Sequence, residues 1–365
     1  MSRILVSGMI AGNPYQGGAT WAVLQYVLGL RKLGHDVWFI EPVKDDFAGK
    51  EYFAQVTAEF GLTTRAAMLH AGTHETVGVP YAAFPRADIL LNISGMLTDQ
   101  ALIGSIPVRV YLDIDPAFNQ LWHAVQGIDM RFEMHTHFVT VGQAIGDPDC
   151  SVPKCGREWI PTFQPIVLEH WPVATATRYD AFTTVGNWRG YGSIEHSGTF
   201  YGQKAHSLRQ FMRLPKLTSE KFILAMSIHG GESRDLAALA ENGWQLIDPV
   251  QVAGSPITYR EFIQQSRAEF GVAKSGYVAS RCGWFSDRSV CYLASGRPVV
   301  AQETGFTRFL PVGNGLFAFR TSEDVLAAID TIRADYRRHC DAARALAEAY
   351  FASDKILTRL LESVT

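Results

Sequence analysis

The residues of this chain best suited to chemistry run from Ser280 to Ser289, Ser-Arg-Cys-Gly-Trp-Phe-Ser-Asp-Arg-Ser, and lead into Val290-Cys-Tyr-Leu-Ala-Ser-Gly-Arg-Pro-Val-Val-Ala301. The pattern predicts a turn around Gly283, a short helix stopped by Gly296 and a buried β-branched strand. Ser286 suits an N-cap, which would leave the N–H groups of Asp287, Arg288 and Ser289 directed at the turn, with Arg281 and Arg288 flanking it. Such a turn is fitted to a diphosphate. A second group, Val185-Gly-Asn-Trp-Arg-Gly-Tyr-Gly192, follows an apolar strand, where α/β sheets place ligands. Gly186, Gly190 and Gly192 would admit a ligand close to the backbone, and Trp188 and Tyr191 offer rings for the flat face of a ligand.

The elements that must hold these residues alternate between short runs of Val, Ile and Leu and longer helical patterns, the signature of mostly parallel sheets covered by helices. Residues 3–9 predict the first strand, followed by the loop from Ile10 to Gly18 and a helix with Trp21, Leu24, Val27, Leu28 and Leu30 on its apolar stripe, ended by Gly34. Further strands are expected at 36–42, 87–95, 108–115 and 138–142. From Trp159 to Pro172 three prolines and no periodicity predict a linker. A second alternation follows, with strands at 181–186, 222–228, 245–248, 269–273, 298–302 and 316–319, then helices at 323–351 and 354–361. We therefore expect domains at 1–165 and 166–345, and a terminal segment, 346–365.

A chain of 365 residues can bury two cores. With 19% charged residues and a net charge of −3, it predicts a small partner and no nucleic acid. No apolar run is long enough to span a bilayer and no signal peptide precedes the first strand, so the expected location is cytoplasmic, without stable membrane insertion. Five cysteines read as reduced thiols. Neither Cys150-x4-Cys155 nor His135-x-His137 has a partner pair at metal-site spacing, so no metal is expected.

Cys282-Gly-Trp-x-Ser286 and Ala294-x-Gly-x-Pro-Val-Val300 resemble the donor-binding half of GT-B glycosyltransferases. That resemblance implies two Rossmann-like domains facing each other across a cleft, a terminal helix crossing back to the first domain, and a nucleoside-diphosphate sugar as donor, with no further cofactor. It implies donor contacts along Arg281, Cys282, Gly283, Phe285, Ser286, Asp287, Arg288 and Ser289, with Gly186, Asn187 and Trp188 beside them. It also implies Arg189 and Lys204 on the diphosphate, the backbone near Ile228 and Asp248 around the nucleobase, Glu303 and Thr304 on the donor sugar, and Gly17 and Gly18 of the Gly12–Gly18 loop facing the phosphates and acceptor.

An inverting transfer needs a base, for which Asp113, Asp115, His135 and His137 are alternatives; a retaining one can pass the proton to the departing phosphate. The expected activity is metal-independent transfer of a sugar to a small-molecule or lipid-linked acceptor. An epimerase or pseudo-glycosyltransferase of the same fold, or a nucleotide-sugar-binding protein without turnover, are the alternatives.

Overall fold

The computed structural model describes residues 1–44 and 46–365. The first sheet contains β1 (Arg3–Ser7), β2 (Asp36–Val43), β3 (Ala66–His70), β4 (Thr76–Gly78), β5 (Ile89–Ile93), β6 (Val108–Asp113), β7 (His137–Thr140) and β8 (Trp159–Pro161). Their order is β4-β3-β2-β1-β5-β6-β7-β8, parallel except for β4 on β3. The second half adds β9 (Tyr179–Asn187), the hairpin β10 (Ile194–His196) and β11 (Thr199–Tyr201), then β12 (Phe222–Ser227), β13 (Gln245–Leu246), β14 (Ser266–Gly271), β15 (Val299–Gln302) and β16 (Leu316–Phe319). Apart from that hairpin these form a second parallel sheet, β13-β12-β9-β14-β15-β16.

Two differences from the sequence reading have local causes. The proline-rich stretch read as linker begins with a strand, β8, at the edge of the sheet beside β7; Pro161, lacking an N–H, is tolerated at such an edge. The helix expected over 323–351 is two, Ser322–Ala334 and Tyr336–Tyr350, because Asp335 leaves helical geometry (φ −149°, ψ 69°) and its side chain caps Arg338 N–H.

In each sheet the strand order reverses once, between β1 and β5 and between β9 and β14, and parallel sheets leave a crevice at the carboxyl ends of such strands. The helix Gly17–Lys32 ties the halves together and is buried on nearly every face. The Trp21 indole donates to the Pro256 carbonyl at 2.8 Å, while Gly29 admits Leu357 and Ser353 of the terminal helix Ser353–Val364. The terminal helix thus returns to the first half. Buried side chains of both halves, from Ile4 and Leu24 to Val185, Tyr292 and Leu357, join in one apolar cluster. Among the described residues no helix is long and apolar enough to cross a membrane.

Candidate functional site

Two adjoining cavities, of about 440 and 510 Å³, open between the halves and share Ala19, Asn187, Asp287 and Arg288 in their walls. The first runs from Tyr15, Gly17 and Gly18 to Gly186, Ser227, Pro249 and Val250. The second has Asp115 on one side and Lys204, Lys274, Tyr191 and Tyr277 on the other. Both lie at the strand-order reversals.

The loop after β1 is drawn into place by the buried Glu41 carboxylate, which accepts Ala11 N–H at 2.9 Å and Gly12 N–H. Helix Gly17–Lys32 then starts without a side-chain cap, and helix Asp287–Ala294 likewise: the Ser286 hydroxyl does not cap it, and Asp287 occupies its first turn. Both helix N-termini line the first cavity, so two sets of uncapped N–H groups and two positive dipole ends sit there.

The cations divide into paired and unpaired. Arg288 is buried; its Nε donates to Glu269 Oε1 at 2.6 Å and its Nη1 to the Val185 carbonyl at 3.2 Å. Lys274 Nζ donates to both oxygens of Asp115, at 3.0 and 2.9 Å. Lys204 Nζ lies where a Cβ on Gly186 would meet it at 2.9 Å, and among the described residues it has no hydrogen-bond or ion-pair partner. Burial, and then the charges of Arg288 and Lys274, hold its ammonium well below the ordinary lysine range. A cation held there without an anion is an electrostatic cost that a bound phosphate would relieve.

No protein-family model matches the chain, and no curated protein matches it. Solved structures do. An alpha-glucosyltransferase in complex with UDP-glucose and DNA containing an abasic site superposes with a TM-score of 0.61 at 12% identity, over 100% of this chain and 99% of that one. HepE of Anabaena in complex with UDP and glucose gives 0.60 at 12% identity over 100% and 99%, and a glycosyltransferase from Rickettsia africae gives 0.57 at 13% over 100% and 97%. The fold is GT-B. That is the architecture the glycine-turn motifs implied.

Within the GT-B cleft the structure brings together Gly17, Gly18, Gly186, Asn187, Asp287 and Arg288 in the first cavity, and Asp115, Asn187, Lys204, Ser286, Asp287 and Arg288 in the second. Other residues expected at the site lie elsewhere. Arg281 lines a separate hollow with Glu303, Arg308 and Arg320; Glu303 turns back to Gly305 N–H and Thr304 donates to the Trp284 carbonyl. Arg189 is an exposed residue paired with Glu232. Trp188 is core, its indole donating to Asp235 at 2.9 Å. Cys282 and Gly283 serve contact between the halves: the Cys282 carbonyl accepts Ala144 N–H at 2.9 Å, and a Cβ on Gly283 would lie 3.0 Å from Ala144 N. Phe285 stacks on Phe351, and Ser289 is buried in the helix. Ile228 packs against the second-half core and Asp248 caps the helix Pro249–Ala253, while their neighbours Ser227, Pro249 and Val250 line the cavity.

Among the candidate bases, Asp113 is fully buried and accepts from Asn119 (2.6 Å), Gln120 (2.7 Å) and Thr140 (2.7 Å); burial raises its pKa to about 6. It fixes the loop carrying Asp115 and reaches neither cavity. His135 is pinned between Asn92 and the Arg131 carbonyl, and burial lowers its pKa to about 4. His137 bonds Thr136 at the start of β7. Only Asp115, of the four, lines the cleft.

Sequence reasoning missed Lys274, Tyr277 and Glu269. The available signal was position: Lys274 directly follows the apolar run that ends β14, opposite Gly186 and Asn187 at the end of β9. The exclusion of nucleic acid is also corrected. An alpha-glucosyltransferase with this fold is solved with DNA, and a net charge of −3 does not bar such a partner. Among the described residues no three His, Cys, Asp or Glu side chains gather as metal ligands would.

Proposed function

We propose that this chain is a glycosyltransferase that takes a sugar from a nucleoside-diphosphate donor. The observation that carries the reading is the unpaired Lys204 ammonium beside Gly186, facing a cleft into which two uncapped helix N-termini open. The diphosphate would lie between those N-termini and Lys204, with the nucleoside toward Ser227, Pro249 and Val250 and the sugar toward Asp115. As the sugar leaves, negative charge grows on the phosphate oxygens, and Lys204 with the N–H groups of Gly17–Ala19 and Asp287–Ser289 is placed to stabilise it. Met9, Ala22, Val23, Ile93, Met96 and Ile114 form an apolar wall beside Asp115, which suits an acceptor with an apolar face.

UDP is the first probe, since several proteins of similar structure are solved with it. The expected outcome is that UDP raises the melting temperature and UDP-glucose is turned over with a suitable acceptor, oligonucleotides included in the panel. Lys204→Met should lower kcat/KM by about 100-fold, the loss of one charge contact at the leaving group, while leaving the fold intact. A parent enzyme indifferent to every nucleoside diphosphate, or a Lys204→Met variant as active as the parent, would refute the assignment. Because the reading gives charge neutralisation to protein groups, transfer is expected to survive exhaustive chelation; loss of activity that magnesium or manganese restores would remove that part.

A further inference from the structure

The second cavity contains an arrangement that the proposed function leaves unused. Lys274 reaches from the end of β14 across the cleft to Asp115 of the first half, and its ammonium sits over three rings, 4.2 Å from the centroid of Tyr191, 5.0 Å from Phe118 and 5.1 Å from Tyr277. The hydroxyls of Tyr191 (2.6 Å) and Tyr277 also donate to Asp115, so its carboxylate is saturated. Lys204 nevertheless feels the Lys274 charge.

A nucleoside diphosphate brings two or more negative charges. Against these, the cleft offers, among the described residues, one cation without a carboxylate, Lys204, because Arg288 is held by Glu269 and Lys274 by Asp115. Arg288 is locked in the core. Lys274 is about one-fifth exposed on a flexible stem in the wall of the cavity that also holds Lys204, so its ammonium is the one that can change partners.

Resting on the donor assignment above, we propose that Lys274 is a second diphosphate-binding residue, held off by Asp115 in the empty cleft and recruited when the donor enters. Its transfer from Asp115 to phosphate does two things at once. It adds a second cation to the leaving group, and it opens a place on the Asp115 carboxylate, still held by Tyr191 and Tyr277, for a hydrogen bond from an acceptor hydroxyl. Donor binding thereby prepares the acceptor side, and the order is donor first.

The test is UDP titration by calorimetry of the full chain as parent, Lys274→Met, Asp115→Asn and the double variant. Lys274→Met is expected to weaken UDP about tenfold, the loss of a charge-assisted hydrogen bond. Asp115→Asn is expected to tighten it several-fold, because the competing carboxylate is gone. Removing a negative charge near the site also favours an anion directly, so the double variant decides: the gain from Asp115→Asn must be several-fold larger with Lys274 present than with Lys274 absent. Asp115→Asn that tightens UDP equally in both backgrounds, or in neither, overturns the proposal. Asp115→Ala repeats the measurement if Asp115→Asn does not fold. Failure of the donor reading looks different: the parent itself would bind none of UDP, GDP or ADP.

Discussion

Asp113 and His135 both looked like acids or bases from their residue types, and both are structural. Their pKa shifts make that testable. Burial raises Asp113 to about 6, so the folded state holds its proton more tightly than the unfolded one, and this group's contribution to stability is full below the ordinary carboxylate range and fades as pH rises through 6. His135, lowered to about 4, has the opposite sign: it stabilises above its ordinary 6.5 and loses that contribution as pH falls toward 4. Over the same window the two slopes oppose each other. Asp113→Asn, whose amide would face the Asn119 and Gln120 donors, is expected to cost about 1–3 kcal/mol at neutral pH and to steepen the fall in melting temperature between pH 6.5 and 4. A variant with the parent's slope would mean that Asp113 does not take up its proton in that range. Neither shift was legible in the sequence, which gives a residue's type and its place on a strand but not the donors that converge on it from Asn119, Gln120 and Thr140. Arg281 and Arg288 show the same gap. The sequence placed both beside one turn, yet the left-handed conformation at Arg281 (φ 52°) sends one outward while Glu269 draws the other into the core.

Elements were far more legible, because their signals are local. The stripe of Trp21, Leu24, Val27, Leu28 and Leu30 is buried, and Gly34 follows the helix with φ +85° and open space around it, a C-terminal stop. Most parallel strands lie where apolar runs predicted them; β3, β4, β8 and the β10–β11 hairpin were missed because they are short, at an edge or bounded by weak turn signals. Glycine-rich segments were the ambiguous case. A glycine reports that something comes close to the backbone without saying whether it is ligand or protein. At Gly17 it is protein: a Cβ would lie 2.1 Å from the Ser255 carbonyl oxygen, although the same residue also lines the cleft. Gly17→Ala is therefore expected to force the first turn of its helix away from Ser255, costing about 1–3 kcal/mol and weakening UDP several-fold. Gly34→Ala, at a positive φ with nothing nearby, is the control: it costs about 1 kcal/mol through the backbone alone and leaves UDP binding unchanged. Equal effects on UDP from both would refute the local explanation.

At the scale of the molecule, the two halves are joined on both flanks of the cleft. On one side Trp21 bonds Pro256 and Gly17 abuts Ser255; on the other Ala144 N–H reaches Cys282, Ser151 bonds Tyr201 at 2.9 Å, and Asp147 pairs with Arg308 at 3.0 Å. The terminal helix closes the circuit: Ile166 pairs with Ala352 where the chain crosses between halves, and Leu357 packs fully buried on helix Gly17–Lys32, itself a wall of the cleft. One apolar cluster runs through both halves, beside smaller clusters confined to each, so neither half can unfold without opening a shared core. The chain is therefore expected to melt in one cooperative transition, not in two. Leu357→Ala, which removes a buried terminal-helix side chain packed on the first half's helix, should cost about 2–5 kcal/mol and move that single transition down as a whole. Two calorimetric peaks, with only the lower one displaced by Leu357→Ala, would show that the halves unfold separately and that the contacts across the cleft contribute little to their stability.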